Sequence, residues 1–331
     1  MENLDNTENK VSRGQGDKFV RVFGWNILGF LIAFLINNFL NVVYDFPGIT
    51  ALFAAPSLIS ALPILIYLVS AVLVSRYALK NSERTLRKEA ELVHGFNVFL
   101  IRWLFFAVLL IGLVDVAIAF IRVEKVLPLI ASDTIVSNLN KPIFVGKFIH
   151  IPIFFGCFFL ALLSTTLGFT WLALLIVLAE LLIVITRFVF SYEQPFMADL
   201  VRYWYAALFL FASAYTLFDE GHVRVDIVYA GLTQKTMGLL NAINSIILGV
   251  STSLLIVMIA FNGKYSIINK PLMNFEVSQT GTVGMFIKYQ MALFLGIFGI
   301  TMVIQFVSYF FGSVADYRGY PGKKVAADNL H

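Results

Sequence analysis

The sequence predicts an all-α integral membrane protein of about eight transmembrane helices, with both termini cytoplasmic and a short interfacial helix before the sixth span. Three observations carry that expectation. Of 331 residues 59% are hydrophobic and 13% charged, about half the charged share of a soluble domain, and the mean hydropathy is +0.85. The apolar residues run in continuous stretches of membrane-crossing length, as helices require, and do not alternate as the strands of a barrel would. The basic residues gather on every second connecting segment, which sets an orientation.

Taken in order, the spans fall at about 24–44, 52–75, 98–121, 148–167, 170–190, 203–218, 237–261 and 287–312. Residues 1–23 form a polar cytoplasmic tail, too long for the charged start of a secretory signal, so the first helix is expected to be retained. Asn37, Asn38 and Asn41 in that helix read as interhelical hydrogen-bonding groups. The region 148–190 contains only Glu180 and Arg187 as charged side chains beyond His150, and as one helix it would be about 65 Å long. Ser164-Thr165-Thr166-Leu167-Gly168 supplies the turn that divides it into two spans, with Gly168 free to take a left-handed conformation.

Charge placement supports this count. With the N-terminus inside, fourteen basic residues, among them Arg21, Arg76, Arg87, Arg224 and Arg318, lie on the cytoplasmic side. Five lie outside: Lys125, Lys141, Lys147, Lys264 and Lys270. Merging 148–190 into one span would invert everything that follows. The segment 76–97 reads either as a short cytoplasmic helix or as a solvated linker. Residues 191–202, with Pro195 and a mixture of acids and large apolar side chains, suit a helix lying along the interface.

The basic balance of +4 sits between spans and is explained by topology and membrane lipid, so no nucleic-acid partner is implied. The single cysteine, Cys157, lies in an apolar stretch and permits no intramolecular disulfide. Only His94, His150, His222 and His331 occur, none of them expected at mid-span, which removes a bis-histidine haem. No metal, nucleotide or nucleophile motif is present, so the chain is not expected to be an enzyme or to hold a cofactor.

Two carboxylates fall inside predicted spans. Glu180, near the middle of the fifth, is costly in hydrocarbon, by about 2.5–3.5 kcal/mol on insertion scales, and reads either as a proton or cation relay or as a packing and subunit-contact group. Asp115 lies nearer the outer interface, within reach of the surface or of Arg122. A self-contained ion-coupled carrier or channel using these two groups is the alternative function.

The most polar segment beside a span is Asp219-Glu220-Gly221-His222-Val223-Arg224-Val225-Asp226. His222 and Asp226 are four residues apart and would share one helix face, while Arg224 lies off it. On these residues alone the run reads as a solvated anchor between two helices or as a functional motif. Together with the span ending Ile185-Thr186-Arg187-Phe188-Val189-Phe190-Ser191 it resembles the DctQ-type small membrane subunits of TRAP (tripartite ATP-independent periplasmic) transporters, over about 165–320. The family's Trp-x-Glu-Glu run is reduced here to Met197-Ala198-Asp199.

The resemblance implies a four-helix core at 168–315, preceded by an extra membrane region at 24–167 and followed by a cytoplasmic tail at 316–331. It implies a small permease subunit in a bacterial inner membrane. Its partners would be a large M-type membrane subunit, which carries the substrate and sodium sites, and a periplasmic substrate-binding protein that delivers an organic acid. Arg187, Asp199, His222, Arg224 and Asp226 become structural and interface residues under that reading.

Overall fold

The computed structural model describes residues 15–218, 229, 231–277 and 281–322. The described residues are helical and connecting segments only. The eight long helices are α1 (Gln15–Tyr44), α2 (Leu58–Lys80), α3 (Leu86–Val123), α4 (Pro142–Leu163), α5 (Phe169–Val189), α6 (Pro195–Phe218), α7 (Gln234–Ala260) and α8 (Lys288–Tyr317). Seven of them, all but α6, are both long and apolar enough to cross a membrane. The expected sixth span is the later part of α6. Its apolar run is interrupted by Arg202, Tyr203, Trp204 and Tyr205, which lowers its hydropathy although its 24 residues would reach across a bilayer.

Two expected boundaries differ. The charged segment before the third span is neither a separate helix nor a linker, because α3 starts at Leu86 and runs for 38 residues, about 57 Å. Nothing in 86–97 stops a helix, and Leu86, Glu89, Val93 and Asn97 at three- and four-residue spacing are buried. The interfacial helix expected at 191–202 is likewise absorbed into a longer one. Ser191 takes a positive φ of 52°, Pro195 opens α6, and no glycine or proline follows before Phe218.

The chain divides into two compact units, each described on its own. The first comprises residues 1–97, 214–264 and 299–331. Within it α1 and α2 are paired by polar side chains. Ser70 Oγ donates to the Gly29 carbonyl at 2.8 Å, Asn26 Nδ2 to Ser75 Oγ at 2.8 Å and Asn37 Nδ2 to the Pro63 carbonyl at 3.2 Å. Of the two other asparagines expected to join helices, Asn41 turns instead to the Phe46 carbonyl in the following loop, at 2.7 Å.

In the same unit α7 approaches residues 299–317 of α8 through glycines. A Cβ on Gly299 would lie 2.6 Å from Val257 Cγ2, and one on Gly238 would lie 2.5 Å from the backbone nitrogen of Tyr317. The Gly238 contact is with main chain, which cannot rotate away. Gly238→Val is therefore expected to cost at least about 1–3 kcal/mol and to reduce the monodisperse fraction on gel filtration in detergent. Gly312→Ala, where a Cβ meets nothing within 4 Å, should leave that fraction unchanged or raise it.

The second unit comprises residues 98–213 and 265–298. Here the expected hairpin is present: α4 ends at Leu163, α5 begins at Phe169, and Gly168 between them has φ +68°. A side chain on Gly168 would also strike the Phe105 ring, so both backbone and space select glycine. Arg102 donates to the Thr165 carbonyl at 3.0 Å and Trp103 Nε1 to the Phe154 carbonyl at 2.7 Å, fixing the hairpin against α3. Leu172, Ile176 and Ala179 form the inner face of α5.

α4 contains a π turn at Gly146–His150. Pro152, one residue past Ile151, has no N–H to return to Phe148, and the wider turn absorbs that missing bond. Because the helix begins at Pro142 and not near 148, His150 lies inside it.

Candidate functional site

The polar chemistry of each unit is concentrated in one buried network. In the second unit Asp115 on α3 and His150 on α4 are each 1% exposed, with His150 Nε2 3.3 Å from Asp115 Oδ1. The other carboxylate oxygen, Oδ2, accepts from the Phe286 backbone N–H at 2.7 Å. On the far side of the ring, Nδ1 lies 2.8 Å from the Tyr289 hydroxyl and 3.2 Å from Gln290 Nε2. Gln290 Nε2 also donates to the Tyr289 oxygen at 3.0 Å, and the Tyr203 hydroxyl from α6 donates to Gln290 Oε1.

The network holds the beginning of α8 to α3, α4 and α6. Next to it Asp199 is buried and accepts from the Met285 N–H at 3.1 Å. Arg122 donates to the Gly284 carbonyl and its guanidinium lies 3.9 Å from the Phe286 ring centre. Residues 284–290 are thus held by two carboxylates, a guanidinium and an imidazole.

In the first unit the buried charges are Asp17 and Arg21 on α1 and Glu89 on α3. Arg21 Nε lies 3.2 Å from Glu89 Oε1, while Trp25 Nε1 donates to Glu89 Oε2 at 3.0 Å. Asp17 pairs with Arg318 and accepts from the Tyr320 hydroxyl at 2.8 Å. Arg87 joins Asp316 at 2.8 Å and the Tyr320 carbonyl at 2.6 Å. Farther along α3, Asn97 donates to the Thr301 carbonyl at 3.0 Å and His94 Nδ1 meets Gln305 Oε1 at 3.0 Å. The first and third helices are therefore bonded to the end of α8 by the pairs Asp17–Arg318 and Arg87–Asp316, whose members are 301 and 229 residues apart in the chain, and to each other by Arg21–Glu89.

Of the residues singled out from the sequence, Asp115 and Asp199 come together near the start of α8, and Asp115 is buried against His150, away from the surface. Arg187 is exposed at the end of α5, 4.0 Å from Glu193. Glu180 is exposed at the middle of α5. His222, Arg224 and Asp226 lie outside the described residues.

His150, Tyr203, Tyr289 and Gln290 were missed. Lys141-Pro142, with proline at the first helical position, was the available signal that α4 starts early and encloses His150. Among the described residues no group of three His, Cys, Asp or Glu side chains is placed to hold a metal ion. What the two networks can do is fix helices against one another at set depth and register.

No curated protein and no solved structure matches the chain at a significant level. Residues 174–315 match the family model described as "Tripartite ATP-independent periplasmic transporters, DctQ component". The matched residues run from α5 to the last turn of α8, somewhat less than half of the chain. At the level of that region, this multi-pass helical membrane protein is DctQ-like.

Proposed function

We propose that the chain is the small permease subunit of a TRAP-type secondary transporter in a bacterial inner membrane. It has eight spans, with α6 as the sixth, and both termini in the cytoplasm. It braces a large M-type membrane subunit and helps dock a periplasmic substrate-binding protein during sodium-coupled uptake of an organic acid. The chain is a transport subunit and not an enzyme. Sodium and substrate bind in the large subunit.

The observation that carries this reading is the match of 174–315 to the DctQ component. The geometry supports it, since Asp115, the best-placed buried carboxylate, has both oxygens engaged within its own chain, by His150 and by the Phe286 N–H. A scaffold needs such fixed helices, whereas a carrier needs a group free to exchange partners. Under the same reading 168–315 is the functional core and 24–167 an added membrane region. Arg187 anchors the outer interface, residues 191–202 contribute to the subunit contact, and His222 and Asp226 fix the cytoplasmic turn with Arg224 towards lipid phosphate or the partner.

The turn assignment predicts that alanine at both His222 and Asp226 lowers assembled complex and uptake together, several-fold, in cells that depend on this transporter. Unchanged assembly, abundance and uptake in the double variant would remove the role given to these two residues. Deletion of the chain itself should abolish uptake of the acid delivered by the binding protein, and uptake that persists without it would defeat the proposal.

A further inference from the structure

We propose that the strip of α5 centred on Glu180 seats a transmembrane helix of the large permease subunit, which meets Glu180 with a cationic or amide side chain at mid-membrane depth. This rests on the reading of the chain as a small permease subunit. Glu180 is the twelfth of the 21 residues of α5, so hydrocarbon extends to either side of it. The buried face of the helix, Leu172, Ile176 and Ala179, turns towards the chain's own interior. Glu180 is one residue, about 100°, round from Ala179, and it is exposed.

Its neighbours on that strip, three, four and seven residues away, are Ala173, Val177, Val184 and Arg187. Val177 is 62% and Val184 49% exposed. Glu180 makes no hydrogen bond or ion pair among the described residues, and a carboxylate at that depth requires a donor. Arg187 cannot serve: it lies about 10 Å farther along the axis and faces Glu193.

No described residue supplies that donor, which points to a group outside the chain. Lipid tails have none, and headgroups lie about 15 Å from the bilayer centre. A second copy packed on the same strip would set Glu180 against Glu180, two like charges. A partner helix carrying Lys, Arg, His, Asn or Gln removes the mismatch. Ala173, Val177 and Val184 are small enough to let such a helix approach closely. The strip also carries Arg187 near its end, so the complementary helix is positive or amide-bearing at its middle and polar or acidic towards the outer surface.

The test uses the full-length chain expressed with its large membrane subunit. Glu180→Leu and Glu180→Lys are expected to lower the large subunit recovered by affinity purification at least tenfold, and Glu180→Gln less. Abundance of the chain itself should be unchanged, because leucine facing lipid is easier to insert than a carboxylate. In the otherwise unaltered chain, a photoreactive benzoylphenylalanine at Val177 or Val184 should give an adduct with the large subunit, while one at Leu178 or Leu182, on the opposite side of α5, should not.

The inference is overturned if both variants recover the large subunit normally, or if the adducts form only with lipid, with a second copy, or from positions 178 and 182. The small-subunit reading would still stand in those cases. If the unaltered chain recovers no large membrane subunit at all, that reading falls and the inference falls with it. The photoadduct arm keeps the outcome interpretable should a Glu180 variant be poorly folded.

Discussion

Glu89→Ala is expected to destabilise the chain by about 3–5 kcal/mol, the cost of removing one partner from a buried ion pair. Arg21 is 1% exposed and Glu89 0%, so the guanidinium left behind would have neither water nor a carboxylate, and Trp25 would lose its acceptor. The measurement is the thermal transition of the detergent-solubilised protein. Glu89→Gln should fall between the native chain and alanine, because the amide oxygen still accepts from Trp25. Replacing both members, with Arg21→Met and Glu89→Leu, should recover much of the loss, since no charge is then buried unpaired. If the double replacement is as unstable as the two single changes added together, the pair is not the unit described here.

The second large effect is expected at Asp115. Asp115→Ala leaves the Phe286 N–H without its acceptor and the buried His150 ring without the carboxylate beside it. The unmet backbone donor alone costs about 1–3 kcal/mol. Asp115→Asn retains one carbonyl oxygen and should be milder. Because Asp115 and His150 act through one network, alanine at both should cost clearly less than the sum of the two single changes. The comparison is a double-mutant cycle read from thermal unfolding in detergent. Strict additivity would show that the two side chains do not share an interaction.

These two networks also show where sequence reasoning reached and where it stopped. The division of 148–190 was legible because a 43-residue apolar stretch exceeds one bilayer crossing, and Gly168 offered the left-handed turn that the structure has, at φ +68°. The apolar spans were legible from hydropathy alone. Helix ends were not, because a helix continues past the hydrocarbon wherever its charged side chains find partners, as Arg87 does with Asp316.

Arg21, Arg87 and Arg318 registered only as cytoplasmic charge. Their acids lie far away in the chain or a helix away, and no local spacing announces such pairs. Asp115 was noticed, but its partner was not, since His150 becomes intramembrane only once the helix is extended back to Pro142 through a π turn. The DctQ resemblance drew heavily on 219–226, which lies outside the described residues, yet the family match covers the helices on both sides of that run.

The central claim is that this chain contributes structure to a transporter whose transport path lies in another subunit. Reconstitution into liposomes under an inward sodium gradient tests it most directly, with labelled organic acid supplied on its periplasmic binding protein. The chain and the large membrane subunit together should accumulate the acid, and either one alone should not. Sodium-driven flux through liposomes containing only this chain would contradict the account.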